Sequence, residues 1–172
     1  MRGLEQTFWT TGLKTTDDPT SKIWDFLRAQ DDLYIIHLTR ENILETITSR
    51  KIADYTDIWS LQSPKKQNPE KPLQVRFTKE EAEEKFIQTR EWEKKGEEWF
   101  NHHNVLHITY EDLTQYRSET FGKVADFLGV ARQDVSTSLK KQRKKALSDT
   151  IEGYKELKQS FINTEWEEFF VD

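Results

Sequence analysis

Residues 33–42 read LYIIHLTREN. A strand with one face in water alternates apolar and polar residues, whereas Leu33, Tyr34, Ile35, Ile36 and Leu38 follow one another with hardly a break. That pattern predicts a strand covered on both faces, as in a parallel sheet packed between helices. Arg40 then stands at the carboxyl end of the strand, where open α/β sheets bind their ligands. Beyond it Leu44, Ile47, Ile52, Tyr55 and Trp59 recur at helical spacing, which predicts a helix from Glu41 to about Trp59. An arginine in this place has two readings: it holds an anion at the helix N-terminus, or it pairs with a neighbouring carboxylate.

Before this segment, SKIWDFLRAQ spaces Ile23, Trp24, Phe26 and Leu27 as a helix does, with Ser21 as its cap. After it, SPKKQNPEKP holds three of the four prolines and no apolar residue, and reads as a loop. LQVRF alternates like a short edge strand. Thr78-Lys79-Glu80-Glu81 is a capping box opening a long helix, with Ala82, Phe86, Trp92, Trp99 and Phe100 turned to the core. VLHITY is a second buried strand and YEDL a loop. SETFGKVADFLGV is a short helix with Phe121, Val124, Phe127 and Leu128 inward, stopped at Gly129. LSDTIEGYKELKQSF reads as a last helix capped by Ser148, and TEWEEFF as an aromatic tail that packs back.

Composition narrows the classes. The chain has 172 residues, enough for one domain spanning 1–172 with a real core. Charged residues make up 33%, but six Trp and ten Phe argue against disorder. A net charge of −5 gives no general attraction to nucleic acid or an anionic membrane. The absence of cysteine excludes disulfides, thiolate catalysis and cysteine-ligated zinc. No stretch reaches the length of a membrane span, and MRGLEQTFWTTG lacks the apolar run of a signal peptide, so the chain reads as cytoplasmic.

Several chemistries have no support in the spacing. No Gly-x-Ser-x-Gly elbow, Walker motif or Gly-x-Gly-x-x-Gly occurs. The four histidines, His37, His102, His103 and His107, lack the usual zinc spacings and read as packing residues, so no metal is expected. Glu111 and Asp112, at the exit of the second strand, could do acid–base work or fix the turn through backbone hydrogen bonds. What remains is a set of anion-binding parts: Arg40 before a helix N-terminus, Ser49 about two turns into that helix, and a basic run containing Lys140, Lys141, Arg143, Lys144 and Lys145.

Four segments in order resemble the sulfotransferases that use 3′-phosphoadenosine 5′-phosphosulfate (PAPS), in the branch with bacterial carbohydrate and nodulation-factor enzymes. IIHLTRENILETITSRKIA looks like that family's 3′-phosphate-binding strand and helix. VLHITYEDL and VADFLGV are similar to its next strand and helix end. LKKQRKKALSDTIEGYKELKQSFINTEWEEFF resembles its C-terminal segment, with Arg143 and Gly153 where asparagines are usual.

The resemblance implies an α/β fold of the P-loop type, with a short central parallel sheet flanked by helices. It implies Arg40, Ser49, Lys141 and Arg143 as contacts for the nucleotide, with PAPS as co-substrate and PAP as product. Sulfuryl transfer to a hydroxyl on a saccharide or small alcohol is the implied reaction, and no residue is assigned as base. Nothing before Ile23 resembles the family's first strand and phosphosulfate-binding loop. The sequence is therefore expected to be the C-terminal part of the family domain, the place of that strand being taken by Gly3–Leu13, by a second copy or by a complementing chain. The alternative is a non-catalytic nucleotide-binding or assembly module.

Overall fold

The computed structural model describes residues 22–56, 74–136 and 145–171. Along them run α1 (Lys22–Arg28), β1 (Tyr34–Thr39), α2 (Ile43–Thr56), β2 (Val75–Arg76), α3 (Lys79–Phe100), β3 (Asn104–Thr109), α4 (Tyr110–Gln115), α5 (Arg117–Leu128), α6 (Leu147–Thr150), β4 (Ile151–Glu152), α7 (Tyr154–Ser160) and a 3-10 turn, Glu167–Phe169. The architecture is mixed α/β with two short parallel sheets, β1 with β3 and β2 with β4. Ser21, Trp59, the proline-rich loop, Gly3–Leu13, Lys141 and Arg143 lie outside the described residues.

β1 and β3 pair directly, from Tyr34 opposite Asn104 to Thr39 opposite Thr109. Among the described residues no space is left between these two strands for a further one. The expectation that β1 is covered on both faces is not met. Its residues alternate, with Tyr34 51%, Ile36 40% and Leu38 49% exposed on one face. That face is covered unevenly: Phe127 of α5 meets the Tyr34 ring edge-on, and Ile108 of β3 is buried while its neighbour Leu38 is not. Hydrophobicity predicted the strand correctly but not what covers it.

The turn from β1 into α2 takes three residues. The helix starts at Ile43 rather than at Glu41, because Asn42 caps it: its Oδ1 accepts from the Glu45 N–H at 3.1 Å, and its carbonyl accepts from Thr46. The Asn42 amide also donates to the Phe169 carbonyl at 3.0 Å, tying this helix start to the C-terminal tail. Thr78 caps α3 as expected, accepting from Glu81 N–H at 3.1 Å. The box closes on one side only, since the Glu81 carboxylate turns to Lys51 of α2.

Two readings of the sequence need correction at chain turns. YEDL forms α4, not a loop, because Thr109 Oγ1 accepts from Asp112 N–H at 3.0 Å and starts a helix at once. LSDTIEGYKELKQSF is not one helix capped by Ser148. It is broken into α6, β4 and α7, with Ala146 in the cap position of α6. Gly153 adopts φ +71°, a left-handed conformation that side-chain-bearing residues resist, and Ile151 leaves the helix to pair with Val75. The stop at Gly129 is as expected: Gly129 and Val130 donate back to Asp126 and Ala125 in a Schellman arrangement. The stripe of α5 that is buried comprises Thr120, Gly122 and Ala125, whereas Leu128 is exposed.

The main core lies beside the β1–β3 sheet rather than under it. Ile43, Leu44 and Ile47 of α2, Phe86 of α3 and Ile151 of β4 meet the tail residues Phe161, Trp166, Phe169 and Phe170. Phe86 is fully buried, with ring centroids of those four aromatics 5.2–6.5 Å away. The tail thus packs back as its sequence suggests. Trp92 and Trp99 of α3 are only half-buried, Trp99 lying 5.1 Å from Trp24 where α1 docks. Truncating Phe86 removes the centre of the aromatic cluster and leaves a cavity. Phe86→Ala is expected to cost about 3–5 kcal/mol in urea unfolding, against about 1 kcal/mol for Thr78→Ala. Equal losses in the two variants would contradict this placement of the core.

Candidate functional site

The carboxyl ends of β1 and β3 lie side by side, Thr39 opposite Thr109, and each strand passes into a helix there. Side chains and free N–H groups at such an edge are available to a ligand. Arg40 leaves the end of β1 into this space. Its guanidinium carbon lies 4.5 Å from the centre of the Tyr110 ring, at the start of α4. Its Nη2 bonds to the Glu45 carboxylate in the first turn of α2, and its Nε lies 3.5 Å from Glu111 Oε1. Glu111 Oε2 in turn accepts from the Glu41 N–H at 3.1 Å.

Two carboxylates, an aromatic face and a helix N-terminus therefore converge on a guanidinium that is only 17% exposed. The carboxylate-partner reading of Arg40 is realised in this arrangement. It does not use all the donors: Nε is buried without a hydrogen-bond acceptor among the described residues, the Glu111 approach being a charge pair without hydrogen-bond geometry. A buried donor left so costs about 1–3 kcal/mol, a cost that a bound acceptor relieves.

Ser49 is half-buried on α2, about 9 Å along the axis from its first residue. No hydrogen bond joins it to Arg40. The neighbouring Thr48 is fully buried, and its hydroxyl has no partner among the described residues. Arg40 and Ser49 thus flank the N-terminal half of one helix, with Asn42 fixing its start.

The two carboxylates singled out at the exit of β3 act in the turn. Glu111 couples α4 to the β1–α2 turn through Arg40 and the Glu41 N–H. Asp112 engages through its backbone, its carbonyl accepting from Tyr116 N–H at 2.8 Å and from Thr120 Oγ1 at 3.2 Å. Such roles predict unequal losses. Glu111→Ala is expected to lower stability by about 1 kcal/mol, since the pair is partly exposed. Asp112→Ala should stay within about 0.5 kcal/mol in the same urea titration. Equal effects would contradict the division of labour.

The histidines separate into two sets. His102 and His103 lie in the turn after α3 and contact the carbonyls of Arg28 and Gln30, at 3.0 and 2.9 Å through Nε2, which is the packing role expected of them. His37 and His107 are brought opposite each other by the strand register, ring centroids 5.3 Å apart, with Glu97 of α3 close by. Motif spacing could not reveal this trio, because its members come together only through strand pairing and helix docking.

Residues 15–157 match the protein-family model described as Stf0 sulphotransferase. Neither the curated proteins nor the solved structures yield a match. Among the described residues no helix is long and apolar enough to cross a membrane. The matched region takes in β1, Arg40, all of α2, β3 and the start of α7. The chain belongs to the Stf0 sulphotransferase family, a family of sulfuryl-transferring enzymes.

Proposed function

We propose that this chain binds PAPS at the carboxyl ends of β1 and β3 and serves the transfer of its sulfuryl group to a hydroxyl, on a saccharide or small alcohol. The observation that carries this reading is Arg40: a buried Nε donor without an acceptor among the described residues, placed where β1 gives way to the N-terminus of α2. A guanidinium fork beside free helix N–H groups suits a phosphate dianion, and the Ser49 hydroxyl supplies a neutral donor on the same helix. Arg40 and Ser49 would hold the 3′-phosphate, with Lys141 and Arg143 as further contacts. A P-loop-type arrangement, with the nucleotide across the strand ends, fits the parallel order of β1 and β3.

In the reaction the acceptor oxygen bonds to sulfur as the bond from sulfur to the phosphosulfate bridging oxygen breaks. The hydroxyl proton is lost and PAP departs with the bridging oxygen. As in phosphoryl transfer, the protein's part is positioning and charge stabilisation. Arg40 contributes by fixing the nucleotide through its 3′-phosphate, away from the reacting sulfur. Glu45 and Glu111 compete with that phosphate for the guanidinium, so the fork must exchange carboxylate for phosphate when the nucleotide binds.

A second reading, a nucleotide-binding or assembly module without turnover, is favoured by one observation: the exposed apolar face of Tyr34, Ile36 and Leu38, which suits a second copy or a complementing chain. Acceptor-dependent release of PAP from PAPS by the purified chain supports the enzyme; nucleotide binding without release supports the module.

Calorimetric titration with PAP tests the phosphate site. Arg40→Ala should weaken binding about ten- to hundredfold, and Ser49→Ala about fivefold, as the loss of a charged and a neutral hydrogen bond implies. Glu45→Gln, which removes a competing charge, should bind PAP more tightly than the wild type. Unchanged affinity in Arg40→Ala overturns the assignment.

A further inference from the structure

His37 and His107 lie 70 residues apart in sequence, yet the parallel register sets them directly opposite on one face of the sheet. Paired residues of neighbouring strands point to the same face, so both rings project toward the helix that crosses it. That helix is α3, whose Gly96 faces the His37 ring: a Cβ built there would stand 3.6 Å from His37 Nε2, in ordinary van der Waals contact. The next residue, Glu97, brings a carboxylate beside both rings. One ligand atom from each of His37, His107 and Glu97 lies within 4.8 Å of the others.

His37 Nδ1 is buried and has no hydrogen-bond partner among the described residues. Among the described residues neither His107 nor Glu97 is engaged in a salt bridge; the neighbouring acids Glu93 and Glu98 pair with Arg90 and Lys94 instead. Burial, and then the neighbouring His107, lower the pKa of His37, while Glu97 acts in the opposite direction. Neutral imidazole is the form that ligates metals.

We propose that His37, His107 and Glu97 form a three-ligand site for a divalent transition cation of the zinc class, joining β1, β3 and α3. Two imidazoles and one carboxylate are a donor set that zinc accepts, with a water in the fourth position. Donor atoms around a tetrahedral zinc lie about 3.4 Å apart, so the cluster must contract by up to about 1.4 Å. His107 and Glu97 are exposed and can do this by changing rotamer. The site is separate from Arg40, about 10 Å along β1 from it, and does not depend on the nucleotide reading. Its role is to cross-link the sheet to α3.

Titration of the full, tag-free chain with Zn2+ against a chromogenic chelator tests this, with Co2+ as a spectroscopic probe. One equivalent of zinc per chain at micromolar concentration, a rise in thermal midpoint and the visible absorption of tetrahedral cobalt are expected. His107→Ala and Glu97→Gln, both at exposed positions, should each weaken binding at least about tenfold. Loss of the cobalt spectrum and of the thermal shift should accompany that weakening. His102→Ala, in the other histidine pair, should bind as the wild type does. Binding well below one equivalent, unchanged affinity in His107→Ala, or loss of binding in His102→Ala overturns the proposal.

Discussion

The structure turns on how Asn42 ends one element and begins the next. Three residues separate β1 from α2, and within them the Asn42 side chain both caps the helix and anchors it to the Phe169 carbonyl. A cap of this kind contributes about 1 kcal/mol, but its geometric effect is larger than its energy. It fixes the helix start against the aromatic tail, and with it the direction in which Arg40 leaves the strand. Ile43, Leu44 and Ile47 then enter the core at once. The residue proposed to hold phosphate is therefore one step removed from the best-packed part of the molecule. A ligand can exchange with Glu45 and Glu111 there without disturbing that core.

The packing is lopsided. Phe86 and the tail aromatics form a dense cluster on the β2–β4 side, whereas the outer face of β1 stays open at Tyr34, Ile36 and Leu38. Such a strand is held by its pairing with β3 and by the turn at its end rather than by burial on both faces. An apolar surface of this character suits coverage by further polypeptide. This asymmetry separates the two functional questions, because the proposed nucleotide edge belongs to the well-anchored side while assembly would involve the open face.

Legibility in the sequence follows the range of the interactions. Thr78 and Gly129 were readable because a cap and a left-handed stop act within a few residues. The aromatic tail was readable because Trp166, Phe169 and Phe170 have no favourable place in water. The break at Gly153 was missed since it depends on Ile151 finding Val75, a partner 76 positions away. Coverage of β1 was misjudged for the same reason: apolar content does not say which helix lies over a strand. At the candidate site, Arg40 and its helix were legible as a strand exit, while the carboxylates around it were not. Glu45 reaches Arg40 only because the helix starts at Ile43, and Glu111 only because β3 lies alongside β1. The trio of His37, His107 and Glu97 needed strand register and the docking of α3 together, and no linear pattern encodes either.

The central claim is that the edge formed by Arg40 and the start of α2 receives the nucleotide phosphate. Following the Arg40 Nε–H and the amides of residues 41–46 by NMR while PAP is added tests it most directly. Those resonances should shift together and saturably, with the Arg40 Nε–H moving downfield as its buried donor gains an acceptor. Saturable PAP binding that leaves Arg40 and residues 41–46 unmoved would contradict the account.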